Sequence, residues 1–197
     1  MITTEVRFSY LTVFESKPNP SGVLKYSTAI LVPKEDKEGV KRMQDGINKA
    51  VQRGIDTNKF TKAQVPGLRL PLRDGTKEHA AGTRGNEYNE CFFVNASSNT
   101  APGVVKAQKG GAPVPLLDQE EFYSGCYGHA DINFFPYSQA GNRGIGVGLN
   151  NLLLTKTGDR LDGKKSAGNV FAAFTGVGVE ADETKGEDDL FGTGNLE

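Results

Sequence analysis

The sequence predicts a mainly β fold with one long helix and extended loops. Residues 3 to 15 alternate between apolar and polar side chains, which is typical of a half-buried strand. The 197 residues include 25 glycines and 9 prolines, a content that favours many turns. Only Asp36 to Arg53 repeats its apolar residues at helical spacing. A chain of this length can bury a full core without disulfides or metal.

The N-terminal third predicts an antiparallel hairpin. In the first strand, Val6, Phe8 and Tyr10 fall on one face, followed by Thr12 and Phe14. The turn-forming residues 17 to 22 then end this strand, because they include two prolines and a glycine. Val23 to Val32 reads as the returning strand.

The helix predicted over Asp36 to Arg53 has Val40, Met43, Ile47, Ala50 and Val51 at helical spacing. Pro33 ends the preceding strand, and Gly54 is a typical helix stop. Two interior glycines, at positions 39 and 46, each weaken the helix by about 1 kcal/mol relative to alanine. We therefore expect the helix to be stabilised by packing one face on a sheet.

The rest of the chain predicts further strands separated by loops. Residues 55–86 read as irregular, 138–143 as a hairpin turn, and 110–113 and 157–168 as loops. The predicted strands are 88–96, 104–107, 125–137, 144–155 and 169–179.

Alternation within the predicted strands also assigns faces. Tyr127, Asp131 and Phe135 share one parity with His129, Asn133 and Tyr137, and we assign that face to a ligand. Cys126, Ile132 and Phe134 share the other, more apolar parity. The predicted core residues are Leu11, Val13, Ile30, Val32, Val94, Ile132, Leu149 and Leu153. Leu11 and Val13 oppose the Phe8 and Tyr10 face, so the pattern leaves open which face of the first strand is buried.

Charge is divided unequally between the body of the chain and its last eighteen residues. Residues 180–197 carry seven carboxylates and one lysine, whereas the preceding residues carry 22 basic and 17 acidic side chains. We therefore expect a domain over 1–179 and an acidic, flexible tail over 180–197 that competes with a polyanionic ligand. Within the tail, a patch that resembles a partner-docking motif comprises Glu187, Asp188, Asp189, Leu190 and Phe191. Acidic tails without any partner are equally common, and the composition leaves that alternative open.

The chain shows no apolar run of membrane-spanning length and no secretory signal at its start. It has two cysteines, Cys91 and Cys126, which predict free thiols in a cytoplasmic protein.

Aromatic and basic residues are interleaved in two regions, residues 69–93 and 123–143. Single-stranded nucleic acid is held by this chemistry, because bases stack on aromatic rings while lysine and arginine contact phosphates. The predicted phosphate contacts are Arg69, Arg73, Lys77, Arg84, Lys106, Lys109 and Arg143, and the predicted stacking rings are Tyr88, Tyr127, Phe135 and Tyr137. About half of the 17 aromatic residues are expected to be core instead, since the chain has no tryptophan.

Catalytic and metal-binding alternatives have weaker support. His129 and Asp131 fall on one strand face and could act as an acid–base pair in a nuclease, but such pairs arise often by chance. The two cysteines and two histidines lack zinc-ligand spacing. The glycines between Gly144 and Gly148 lack the spacing of a dinucleotide fingerprint. They are better interpreted as strand positions where another backbone or a flat base comes close, or as bulges. We therefore expect no enzymatic activity, no metal and no cofactor.

Four segments together resemble a known family. They are Pro71 to Gly75 (Pro-Leu-Arg-Asp-Gly), Asn95-Ala96, Gly125 to Tyr127 leading to Asn133, and Gly146 to Asn151 (Gly-Val-Gly-Leu-Asn-Asn). This ordered series resembles a bacteriophage family of single-stranded DNA-binding proteins, over roughly Glu5 to Phe174. The tail departs from the pattern, since such tails often end in an aromatic residue and Phe191 lies six residues before the end.

The resemblance implies a partly open, OB-like antiparallel β-barrel with one inserted helix and long loops. It also implies sequence-independent binding of single-stranded DNA during phage replication or recombination, in the host cytoplasm, with partner proteins recruited by the acidic tail. A homodimer is compatible with the exposed strand edges of a short barrel. The main rival is a phage structural β-protein that decorates the virion, which would bind little DNA. The sequence leaves open the choice between DNA and RNA.

Overall fold

The computed structural model describes residues 1–139 and 141–163. Its eight strands are β1 (Val6–Pro18), β2 (Leu24–Pro33), β3 (Arg73–Asp74), β4 (Cys91–Ser98), β5 (Gly103–Lys106), β6 (Val114–Pro115), β7 (Tyr127–Gln139) and β8 (Asn142–Lys156). Two α-helices, α1 (Lys37–Asp56) and α2 (Gly75–Ala80), are accompanied by short 3-10 turns at Lys62–Gly67, Asn86–Tyr88 and Gln119–Glu121. The predicted strand at 169–179, the end of the predicted domain and the tail lie outside the described residues.

Five strands close into a ring. The sheet runs β3-β4-β2-β1-β7-β8-β5-β6, and β4 also meets β8 through a parallel bridge between Ser97 and Gly148. The ring order is therefore β1-β2-β4-β8-β7, with β7 returning to β1 at Val6 and Arg7. This arrangement, with α1 as the main helix, confirms the predicted OB-like barrel. Among residues 1–139 and 141–163, no helix is long and apolar enough to cross a membrane.

A bulge in β1 settles which of its faces is buried. The pairing of β1 with β2 shifts between Ser9 and Thr12, and Tyr10 there adopts a φ of 49°. One extra residue reverses the alternation, so Phe8 and Val13 both enter the core although their parities differ. Leu11 is only partly buried, and Tyr10 is expelled to the surface.

A second bulge, in β8, corrects one core prediction. The pairing with β7 passes from Asp131–Asn151 to Ile132–Leu149, which leaves an extra residue in β8. Leu149 and Leu152 are buried, whereas Leu153 is half-buried on the outer face. The prediction of Leu153 as core was wrong because the bulge reverses the faces beyond it. The other predicted core residues, namely Val13, Ile30, Val32, Val94, Ile132 and Leu149, are buried.

Helix α1 packs one face on the barrel, as expected from its pattern. Met43, Ile47 and Ala50 belong to the main core. The helix continues past Gly54, the predicted stop, to Asp56. Two of its glycines have a packing role: a β-carbon at Gly46 would lie 2.6 Å from the Phe134 ring, and one at Gly54 would overlap the Phe60 ring. The helix therefore loses local propensity at these positions but gains close contact with aromatic core residues.

Residues 55–86, predicted to be irregular, contain β3, which pairs with β4 at the edge of the sheet, and the short helix α2. A second, smaller core is formed by Ala29 and Leu31 of β2, Phe93 of β4, and Tyr88. Asp74 caps α2 by accepting hydrogen bonds from the backbone N–H groups of Thr76 and Lys77.

Candidate nucleic-acid interface

A row of glycines in β8 makes room for side chains of β7. Gly144, Gly146 and Gly148 stand opposite Tyr137, Phe135 and Asn133 in the antiparallel ladder. A β-carbon at Gly146 would lie 2.5 Å from the Phe135 ring, and one at Gly148 would lie 2.5 Å from the Asn133 side-chain oxygen. The Phe135 ring is nevertheless 42% exposed. We call Phe135, Tyr137 and the three glycines the aromatic platform.

The segment around Arg69 borders this platform. The backbone N–H of Arg69 donates to the carbonyl of Arg143, and the N–H of Ile145 donates to the carbonyl of Arg69, both at 3.0 Å. Arg69 thereby extends the edge of β8 at Gly144, where a β-carbon would also lie 2.9 Å from the Tyr137 hydroxyl. The Arg69 side chain is exposed and forms no ion pair with any described residue, and its β-carbon borders Gly144 on the side of the Tyr137 hydroxyl.

Arg143 does not share that face. It pairs with Ser138 in the ladder, one step beyond the Tyr137–Gly144 pair. Successive residues of a strand point to opposite faces, so Arg143 points away from the aromatic platform. Arg143, one of the predicted phosphate contacts, therefore lies on a different surface from Phe135 and Tyr137. Its side chain instead faces the loop that follows α1.

A second group of predicted residues surrounds Arg84. Its guanidinium lies 5.2 Å from the ring centres of Tyr10 and Tyr88 and 5.4 Å from that of Phe93. Burial opposes its charge, but contacts with Tyr88, Tyr10 and Glu78 outweigh burial and raise the pKa of Arg84 above its usual value. Arg84 is therefore a fixed cation inside an aromatic cluster.

Glu78 partly neutralises this cluster. It forms ion pairs with both Arg73 and Arg84, and Arg73 also lies 5.1 Å from the centre of the Phe93 ring. Lys77, in contrast, is exposed and has no ion pair among residues 1–139 and 141–163. Of the three predicted cations in this segment, Lys77 is the one most available to a phosphate.

Tyr88 cannot stack on a base in this structure. Its side chain is fully buried, and its ring packs edge-on against Phe93 with centres 4.9 Å apart. Burial raises the pKa of its hydroxyl. The prediction of Tyr88 as a stacking residue is corrected: the ring supports Arg84 from beneath and belongs to the second core.

Tyr10 is the aromatic residue that sequence reasoning missed. It is 57% exposed, and its ring centre lies 6.4 Å from that of Tyr88. The β1 bulge turns it outward, on the same side as Arg84. Alternation alone groups Tyr10 with the buried Phe8, so only the bulge could have revealed its position.

The remaining predicted residues lie apart from these two groups. Tyr127 is half-buried between two cations, with Arg7 at 5.4 Å and Lys156 at 5.5 Å from its ring centre. Lys106 forms an ion pair with Glu121 at 2.8 Å, so its charge is already balanced. Lys109 is exposed beyond β5.

The His129 and Asp131 side chains are engaged in structural contacts. His129 Nδ1 lies 3.0 Å from the Thr3 carbonyl, and Asp131 accepts from the amide of Asn151 at 3.2 Å. In the part of the chain that the structure describes, no group of three or more His, Cys, Asp or Glu residues could hold a metal ion.

Comparisons with solved structures agree with this fold. The single-stranded DNA-binding protein of bacteriophage Enc34, solved in complex with single-stranded DNA, superposes with a TM-score of 0.63 at 19% identity, covering 81% of this chain and 88% of that chain. The single-stranded DNA-binding protein gp2.5 of bacteriophage T7 gives a TM-score of 0.51 at 13% identity, covering 96% of this chain and 98% of that chain. At such identities the likeness shows the fold alone.

Sequence comparisons extend to the family. "Putative protein p50" of Acyrthosiphon pisum secondary endosymbiont phage 1 is 27% identical over 183 residues, covering 90% of this chain and 88% of that protein. A family model described as the single-stranded DNA-binding protein of Enterobacter phage Enc34 matches residues 1–189. The chain therefore belongs to the Enc34-type family of phage single-stranded DNA-binding proteins, which are not enzymes.

Proposed function

We propose that this protein binds single-stranded DNA without sequence preference during phage DNA replication or recombination, in the host cytoplasm. The observation that carries the proposal is the aromatic platform: an exposed ring, Phe135, shares a strand face with Tyr137, and Arg69, which has no ion pair among the described residues, borders Gly144. Bases stack on such rings at about 1–3 kcal/mol each, whatever their identity, while cations contact the phosphates.

The proposed DNA-binding surface joins the platform to the exposed face near Arg84. Tyr10 and Phe135 are its stacking residues, with Tyr137 beside Phe135. Arg69 and Lys77 contact phosphates, and Arg73 and Arg84 add positive potential that Glu78 reduces. Tyr127, Lys106 and Lys109 contribute at the periphery, on the strands and loops beyond this surface.

The acidic residues 180–197 compete with DNA for this surface and, once displaced, recruit replication or recombination proteins through Glu187 to Phe191. The charge division along the sequence supports this regulation. Competition between charges is strongest at low ionic strength, because salt screens exposed charges over about 10 Å at 0.1 M.

Fluorescence anisotropy of labelled oligo-dT against a matched duplex, at several salt concentrations, tests the proposal. We expect preferential binding to the single strand, weakening with salt by about 0.7 in log–log slope for each phosphate contacted. A chain ending at Val179 should bind more tightly than the intact chain, most clearly at low salt. Equal affinity of the two chains at every salt concentration would refute competition, and absence of binding to either DNA at low salt would refute the function.

A further inference from the structure

A second basic surface lies on the opposite side of the β7–β8 hairpin from the aromatic platform. It is a groove of about 520 Å³ between the end of this hairpin and the loop that follows α1. Lys59, Lys62 and Arg143 line it, with the polar side chains of Asn58, Gln64 and Ser138 between them. We call this surface the basic groove.

The loop that carries the two lysines is held in place. Asn58, at a φ of 55°, reverses the chain at the end of α1, and the N–H of Lys59 donates to the carbonyl of Gly54 at 2.8 Å. Phe60, between the lysines, is only 3% exposed and packs on Gly54. The side-chain oxygen of Gln64 accepts from the N–H of Thr61 at 2.9 Å. Both lysines are therefore exposed on a fixed backbone.

The basic groove contains no counterion of its own. No aspartate or glutamate lines it, and within residues 1–139 and 141–163 its three cations form no ion pair. Several other surface cations are balanced, as in Lys41–Asp45, Arg42–Glu38 and Arg160–Asp162. Three like charges on one concave surface repel each other and favour an anionic ligand.

The position of the basic groove relative to the platform indicates which anion the groove binds. Arg143 directly precedes Gly144 along β8, so the edge of the basic groove adjoins the edge of the platform. A strand stacked on Phe135 and passing round the hairpin would bring its next phosphates to Arg143 and then to the loop lysines. The groove has cations and amides but no exposed ring, which suits a phosphate backbone rather than bases.

We propose that the basic groove is a second DNA-contacting surface, which binds the phosphates of a single strand after it leaves the aromatic platform. This inference rests on the proposed function and adds Lys59 and Lys62 to its binding residues. Its consequence is dependence on strand length: a short strand occupies the platform only, whereas a longer strand also reaches the groove.

The test compares Lys59→Ala/Lys62→Ala with the intact protein on two oligo-dT strands, of about 6 and about 20 nucleotides, which bracket the ~4–16 nucleotides of a single barrel domain. Calorimetry with the strand in excess limits each strand to one protein molecule. Lys37→Ala/Lys49→Ala removes two exposed lysines of α1 that lie outside the groove and form no ion pair among the described residues, so it loses the same charge and is the control.

We expect the groove variant to bind the short strand as the intact protein does, and the long strand about tenfold more weakly at low salt. Its salt slope on the long strand should fall by about 1.4, for two lost phosphate contacts. Unchanged binding of the long strand, or equal weakening on both strands, would overturn the inference and leave the proposed function intact. Failure of the intact protein to bind either strand would instead overturn the proposed function, and the inference with it.

Discussion

The ring of Phe135 occupies the space that a β-carbon on Gly146 would fill, with a separation of only 2.5 Å. The two residues are direct partners in the β7–β8 ladder. The glycine thus lets an aromatic side chain lie down across the neighbouring strand rather than stand away from the sheet. This contact fixes the position of a ring that remains open to a base on its other side.

Phe135→Ala should weaken binding to single-stranded DNA without unfolding the protein. Loss of one base–aromatic stack costs about 1–3 kcal/mol, which corresponds to a fall in affinity of roughly 5- to 150-fold. The ring is 42% exposed, so we expect only a small change in thermal midpoint. Anisotropy titration and thermal unfolding measure the two effects. Leu117→Ala removes another exposed apolar side chain, which is 90% exposed, and should change neither.

Gly146→Val should weaken DNA binding by displacing the Phe135 ring, although no DNA-contacting group is removed. Because the added side chain meets the ring, we expect a loss of stability of about 1–3 kcal/mol together with reduced affinity. Gly67→Val adds the same bulk where no atom lies within 4 Å of the new β-carbon. Equal affinities of the two variants would show that the position of the ring is unimportant.

Two substitutions of Tyr10 separate the effect of backbone strain on stability from the effect of the ring on DNA affinity. Tyr10→Ala and Tyr10→Gly both remove the ring and should lower DNA affinity equally. They differ in stability, since a φ of 49° costs a non-glycine residue about 1–2 kcal/mol. We expect the glycine variant to be more stable than the alanine variant by about that amount, measured by urea denaturation. A difference in DNA affinity between them would mean that the backbone of the bulge, rather than the ring, controls binding.

Asp74 predicts a specific pH dependence of stability. Its hydrogen bond with Lys34 is the largest contribution that lowers the pKa of this carboxyl below its ordinary value of 3.8. Because the folded-state pKa is lower than the unfolded one, the ionised carboxylate stabilises the fold above pH 3.8, and this stabilisation is lost as the pH falls through the folded-state pKa. Asp74→Asn should therefore reduce the fall in the free energy of unfolding at acid pH (the acid limb of the stability profile). Lys34→Met should do so as well. An acid limb in Asp74→Asn as steep as that of the intact protein would contradict this assignment.

The fold could largely be predicted from the sequence because its longest elements have clear periodicity. The even-numbered residues of β7 from Gly128 to Phe134 are buried, and α1 buries the face that its apolar spacing indicates. The two bulges could not be predicted in this way. A single inserted residue leaves the local pattern intact while reversing every face beyond it, which is why Tyr10 and Leu153 lie outside the core.

The candidate site was harder to predict than the fold, because an arginine near aromatic residues in the sequence can either pack within the protein or bind a nucleotide at its surface. Arg84 stacks over Tyr88 and Phe93 inside the protein, and the same residue types would hold a base at the surface. Only burial separates the two cases, and burial here depends on the second core formed by residues distant in sequence. Phe135 and Tyr137 could be identified because their strand alternates regularly.

The single bridge between Ser97 and Gly148 has a consequence for the order of folding. The β1–β2 and β7–β8 hairpins join neighbouring segments, so their loop-closure entropy is small and they can form early. The ring is complete only when β7 has met β1 and β4 has met β8, and each of these contacts closes a loop of many residues. The Ser97–Gly148 bridge lies beside Asn133, next to the platform, so the binding surface should be assembled late in folding. A nascent chain would then acquire affinity for DNA only when its barrel is complete.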